Sequence, residues 1–141
     1  MTNTPAHART ARDIWDSWTR LWNGDLTQAT LLVADQFRAH AGNAAVGDPD
    51  AIRTRGDLVD WVRQTRTAIP GLRFHTAGHP ADGDGLVAAR WYATFRSDDG
   101  STRARLGVDV LTIVDWHVVA VWTVSGSRAL DPADPIFDVT T

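Results

Sequence analysis

Residues 86–126 read LVAARWYATFRSDDGSTRARLGVDVLTIVDWHVVAVWTVSG, three extended runs separated by two tight turns. No other part of the chain so restricts what it can fold into. β-branched and aromatic residues at this density fit strands that pack on both faces. Asp99-Gly100 stands between two of the runs, a strong signal for a hairpin with a two-residue turn. That turn places Asp98 across from Ser101 and Arg90 across from Asp109. Because side chains alternate along a strand, Arg90, Tyr92 and Asp109 then share one face. Trp91, Phe95, Val108 and Val110 take the other. A carboxylate inside the apolar run GVDVLTIV is costly unless it is partnered. Arg90 is the expected partner, and an adjacent Arg favours an ionised Asp109 over a protonated one.

The rest of the chain supplies helices. Ile14, Trp18 and Leu21 form one stripe of a helix expected over 6–22, on which Trp15, Trp18 and Trp22 recur at helical spacing. Asn23-Gly24 ends it, and Asp25 is placed to cap a second helix reaching about Val33. A short strand-like segment over 34–41 ends near His40. Thr54-Arg55-Gly56-Asp57 has the form of a capped start, and Leu58, Trp61, Val62 and Thr65 mark the buried side of a third helix. Pro70-Gly71 stops it, a first strand over 72–77 opens the sheet, and Ala81–Gly85 turns the chain. Residues 1–5 read as a loose terminus and 128–141 as an irregular tail, with Ile136 and Phe137 free to dock, as a lid for example. Helices followed by a run of strands argue an α+β fold. The expectation is one domain over residues 1–141, a cone-shaped α+β barrel with a curved antiparallel sheet wrapped around three N-terminal helices.

Composition excludes several chemistries. The 141 residues carry a net charge of −3 without a basic stripe, so no nucleic-acid partner is expected. No apolar run is long enough for a membrane span and no leader pattern is evident, which points to a cytoplasmic protein. With no Cys there is no thiol nucleophile or thiolate site, and with no Lys no Schiff base. His75 and His79 would pair on a metal only in a helix, which Gly78 and Pro80 prevent. No metal, cofactor, phosphate cradle or nucleophile elbow is expected.

The order of motifs resembles the nuclear transport factor 2-like superfamily, in particular its SnoaL-like branch. Trp22-Asn23-Gly24-Asp25-Leu26 matches the motif that closes the first helix there. His40 matches a His after a short strand, Gly56-Asp57-Leu58 the opening of the third helix, and Ile69-Pro70-Gly71-Leu72 its stop. Asp115, Val118 and Trp122 match the final hairpin, with Trp116 in place of Gly and Ala120 in place of Glu. The resemblance covers about residues 8–125. It implies a cavity inside the cone, in a superfamily of polyketide cyclases, ketosteroid isomerases, epoxide hydrolases, dehydratases and non-catalytic binding domains. Asp109 falls on the strand that carries the oxyanion-hole Asp of ketosteroid isomerases. The isomerase Tyr falls near Ser17, however, and its general base near His40 or Ala41. Of the epoxide hydrolase set only Arg90 is kept, with Val124 where an Asp is expected. Neither catalytic set is complete, and a shared fold does not carry a shared reaction.

The expected function is therefore cofactor-independent acid–base catalysis on a hydrophobic, cyclic or polyketide-like molecule: cyclisation, isomerisation, hydration or dehydration. Asp109 is the candidate acid/base, Arg90 its orienting partner, and His40 the second proton-transfer group. Tyr92, Trp18, Trp22, Trp61 and Trp122 are candidate substrate walls. The rival readings are a non-catalytic pocket for an apolar ligand and a dimeric interaction domain whose cavity is filled by Trp. A void of roughly 300 Å³ or more favours a ligand. A homodimer is expected through the outer sheet face carrying Trp91, Phe95, Val108 and Val110.

Overall fold

The computed structural model describes residues 10–137. Helix α1 (Ala11–Trp22) begins at a capping box. Thr10 accepts from the Asp13 amide, and the Asp13 carboxylate accepts from the Thr10 amide. The expected first turn over 6–9 lies outside the described residues. Helix α2 (Gln28–Leu32) is a short turn leading into strand β1 (Val33–Ala41). The expected cap at Asp25 binds the side chains of Thr27 and Gln28 instead, and Thr27 occupies the cap position. Helix α3 (Arg55–Ala68) starts at the Thr54/Asp57 capping box and ends before Pro70, where the sequence places both ends.

Strands β2 (Arg73–Gly83), β3 (Leu86–Arg96), β4 (Thr102–Val114) and β5 (His117–Ser125) follow. They form a curved five-stranded sheet in the order β1-β5-β4-β3-β2. Neighbours run antiparallel except β1, which joins β5 in parallel. The fold is thus mixed α+β, with helices against the concave face as expected. β2 outlasts its expected end at Ala77 because Gly78, at φ +81°, makes an irregularity and pairing resumes at Ala81.

The core lies between α1, α3 and the inner sheet face. Ile14, Trp15, Trp18, Leu21, Leu58 and Val62 pack there against Val87, Ala89, Leu111 and Val121. The Trp22-Asn23-Gly24 motif fastens this arrangement. Asn23 imitates a strand at the edge of β2, its amide donating to the Phe74 carbonyl (3.0 Å) and its carbonyl accepting from the Phe74 amide (2.7 Å). Gly24, at φ +106°, lies beneath Arg66, which donates to the Trp22 carbonyl.

Of the tail, the described residues 128–137 fold back over the outer face. Leu130 bridges to Ala104, and Phe137 packs on Tyr92 at 5.0 Å between ring centres. It is therefore no lid over the cone, and Ile136 stays exposed.

Candidate active site in the cone

The register of β3 and β4 decides which side chains enter the cone. Ser97 pairs with Ser101 around a three-residue loop, Asp98-Asp99-Gly100, with Gly100 at φ +85°. The two-residue turn expected from Asp99-Gly100 is one residue short. Asp99 instead accepts from both the amide and the hydroxyl of Ser101. Asp109 consequently pairs with Ala89, and Arg90 pairs with Val108. A one-residue slip moves each side chain of one strand to the other face relative to its neighbour.

Arg90 therefore does not partner Asp109. It is exposed on the outer face with its guanidinium over Gly78, where a Cβ would come within 2.8 Å of Nη2. Tyr92 is also on the outer face, stacked on His75 at 4.7 Å. His40 pairs with Trp122 in register and stacks on it at 4.3 Å, both rings exposed outside the cone. Trp91 and Phe95 line the inside, not the outer face assigned to them from the hairpin. Of the expected wall residues, Trp18, Trp22 and Trp61 do face the cavity; Tyr92 and Trp122 do not line it.

The cavity measures about 310 Å³. The Trp rings form its walls rather than filling it, with Trp22 edge-on to Trp61 at 5.1 Å and to Phe74 at 5.6 Å. Trp61 is fixed by donating to the Val46 carbonyl and Trp15 by donating to Thr76. The Trp22 indole N–H is buried and meets no acceptor among the described residues. Asn43 and Ser125 border the mouth, joined through the Asn43 amide group and both the backbone and hydroxyl of Ser125.

Asp109 lies on the inner face, 8% exposed. Trp18 Nε1 donates to its Oδ2 at 3.0 Å, and Trp91 Nε1 donates to its Oδ1 at 2.9 Å. Thr123, its register partner on β5, adds a hydrogen bond. No cation pairs with it among the described residues. Burial pushes its pKa up, and the bonds from Thr123, Trp18 and Trp91 oppose that shift without cancelling it. The expected ionised, Arg-paired carboxylate is thus replaced by a carboxyl biased towards its protonated form.

Gly107 makes this geometry possible. Trp91 lies opposite Gly107, and its ring crosses the glycine to reach Asp109. A Cβ at 107 would overlap the Trp91 ring. Trp91 and Gly107 are the candidate-site residues that the assumed turn length hid; a three-residue reading of Asp98-Asp99-Gly100 reveals both. His75 borders the cavity, but its ring bonds Thr94 and stacks on Tyr92, and burial lowers its pKa. No cluster of His and acidic residues suited to a metal occurs among the described residues. None of their helices is long and apolar enough to cross a membrane.

No family model and no curated protein matches the sequence. Solved structures do. IdmH of Streptomyces antibioticus, described as a proposed polyketide cyclase, matches with TM-score 0.69 at 19% identity, over 92% of this chain and 95% of that one. A proposed ketosteroid isomerase from Kribbella flavida matches with TM-score 0.66 at 16% identity, over 89% and 84%. An NTF2-like protein of unknown function from Exiguobacterium matches with TM-score 0.60 at 19% identity, over 82% and 99%. The chain has the cone-shaped α+β fold of the nuclear transport factor 2-like superfamily, with SnoaL-like and ketosteroid isomerase-like proteins among its structural neighbours.

Proposed function

We propose that the protein is a cofactor-independent acid–base enzyme acting on a hydrophobic cyclic ketone or polyketide, by isomerisation, cyclisation, hydration or dehydration. One observation carries the reading: a buried carboxyl, paired with no cation among the described residues, borders an aromatic cavity with two indole donors fixing both oxygens. Burial raises the Asp109 pKa above the ordinary carboxylate value, the direction that suits a carboxyl to general acid–base work. In its ionised form Asp109 takes a proton from the carbon next to a bound carbonyl, breaking C–H and forming O–H. The electron pair moves onto the carbonyl oxygen as an enolate, and the same carboxyl returns the proton to carbon or oxygen. The Trp walls hold the ring system flat and exclude water.

His40 and Arg90, which lie on the other face, have no part in this step. That loss of a second proton-transfer group favours one rival reading, a pocket that binds an apolar ligand without turnover. The neighbours' descriptions as a proposed polyketide cyclase and a proposed ketosteroid isomerase support the substrate class. The chain is further proposed to act as a homodimer through its outer sheet face. Trp122 and Val124 are 57% and 63% exposed there, beside Val108.

The α-protons of 2-tetralone, a fused-ring ketone, test the reading by their exchange in D2O, followed by proton NMR. The wild-type protein is expected to accelerate exchange saturably, and Asp109→Asn to lose on the order of 10²–10⁴-fold of that rate. Saturable binding with no acceleration by either protein assigns the cavity to binding alone.

A further inference from the structure

We infer that the substrate carries an anionic group, most simply a carboxylate, at the end remote from its reacting carbonyl, and that Arg105 recognises it. The inference rests on the reading of the cavity as a site for an apolar ring system and adds a specificity residue to it. Arg105 sits on β4 on the same face as Gly107 and Asp109 and lines the cavity. Four residues of strand set the Arg105 and Asp109 backbones about 13 Å apart. Both line one cavity, in which Asp109 is buried and Arg105 exposed, a carboxyl at the floor and a cation at the mouth.

The guanidinium is held over the Phe95 ring, 5.3 Å from its centre, which orients it at the rim. No carboxylate pairs with Arg105 among the described residues. Arg105 is the one arginine among the described residues that lines the cavity, while Arg66 donates to the Trp22 carbonyl and Arg103 to the Ala129 carbonyl. Arg105 therefore offers its planar donors to whatever fills the mouth, and a carboxylate matches them in shape and charge. A cation here also disfavours a second positive group on the ligand. The cavity thus selects a flat ring system with its acceptor at the Asp109 end and its negative charge at the Arg105 end.

Anthraquinone-2-carboxylate and its uncharged methyl ester separate charge recognition from ring binding. Titrated into the full chain and followed by indole fluorescence, the carboxylate is expected to bind about five- to tenfold tighter than the ester. In Arg105→Met, which keeps a stem for Phe95 but no charge, that preference is expected to vanish while the ester binds as before. Arg105→Lys is expected to retain part of it. Equal binding of the two probes by the wild type, or a preference that survives Arg105→Met, overturns the assignment of Arg105 and leaves the apolar cavity standing. Failure of both probes to bind the wild type overturns the cavity reading together with it.

Discussion

At the scale of single residues, Asp109 is the group whose surroundings work against its charge. In the unfolded chain an Asp titrates near 3.9. In the native protein burial raises that value, so between the two the folded state holds a proton the unfolded state has released. Stability linked to Asp109 is fully present below the unfolded value and is lost as pH rises through the native one. Chemical denaturation of wild type and Asp109→Asn at pH 4 and pH 8 is expected to show the wild type losing ground to the variant as pH rises. The amide nitrogen of Asn faces one indole N–H, an offset common to both pH values that leaves the trend intact. A wild type that gains ground with rising pH would indicate an ion-paired carboxylate instead. Trp116 is, with Asp84 and Asp115, one of the non-glycine residues at positive φ among the described residues. It sits at φ +65° in the turn after Asp115, 51% exposed, a left-handed conformation that suits Gly. Trp116→Gly is expected to stabilise the fold by about 1 kcal/mol, read from denaturant midpoints, if relief of strain outweighs the entropy Gly adds to the unfolded chain.

At the scale of elements, the legibility of the sequence divides by the range of the interaction that fixes each feature. Both ends of α3 are set within a few residues, by the Thr54/Asp57 box and by Pro70, and such local chemistry is visible in one dimension. The hairpin itself was legible from Asp99-Gly100, and so was an unusual Asp109. Its partner was not. Asp98-Asp99-Gly100 accommodates a two- or a three-residue loop, and the choice turns on Asp99 capping Ser101 and on which face of β3 fits the helices. That single residue exchanged Arg90 for Trp91 at the site. The β3–β4 pair also carries a prediction: Gly107→Ala forces the Trp91 ring off its bond to Asp109 and is expected to cost about 1–3 kcal/mol by overpacking. In a Trp91→Phe background, where the ring is smaller, the same change should cost less. Equal costs in the two backgrounds, measured as a double-mutant cycle, would show that the glycine does not serve Trp91.

At the scale of the whole molecule, the sheet divides two environments. Its concave face, with the helices, makes the aromatic cavity around Asp109; its convex face leaves Val108, Trp122 and Val124 in water. An apolar strip of that kind suits a symmetric partner. Sedimentation is expected to show a dimer at micromolar concentration and a monomer for Trp122→Asp, whereas a monomeric wild type contradicts the proposed interface. Strands wrapped around helices leave room for a cavity, but whether Trp side chains fill it and which rings line it depend on a sheet register that only long-range packing resolves. With no cation paired to it among the described residues, the Asp109 carboxyl is held back from ionising by this enclosure, and the proposed function depends on that. Carbon-13 NMR of the labelled Asp109 side chain across pH measures that directly, with and without bound 2-tetralone. A midpoint clearly above about 3.9 is expected in the free protein, moving higher when the bound ketone buries the carboxyl further. A midpoint at or below the ordinary carboxylate value, unchanged by the ketone, would contradict it.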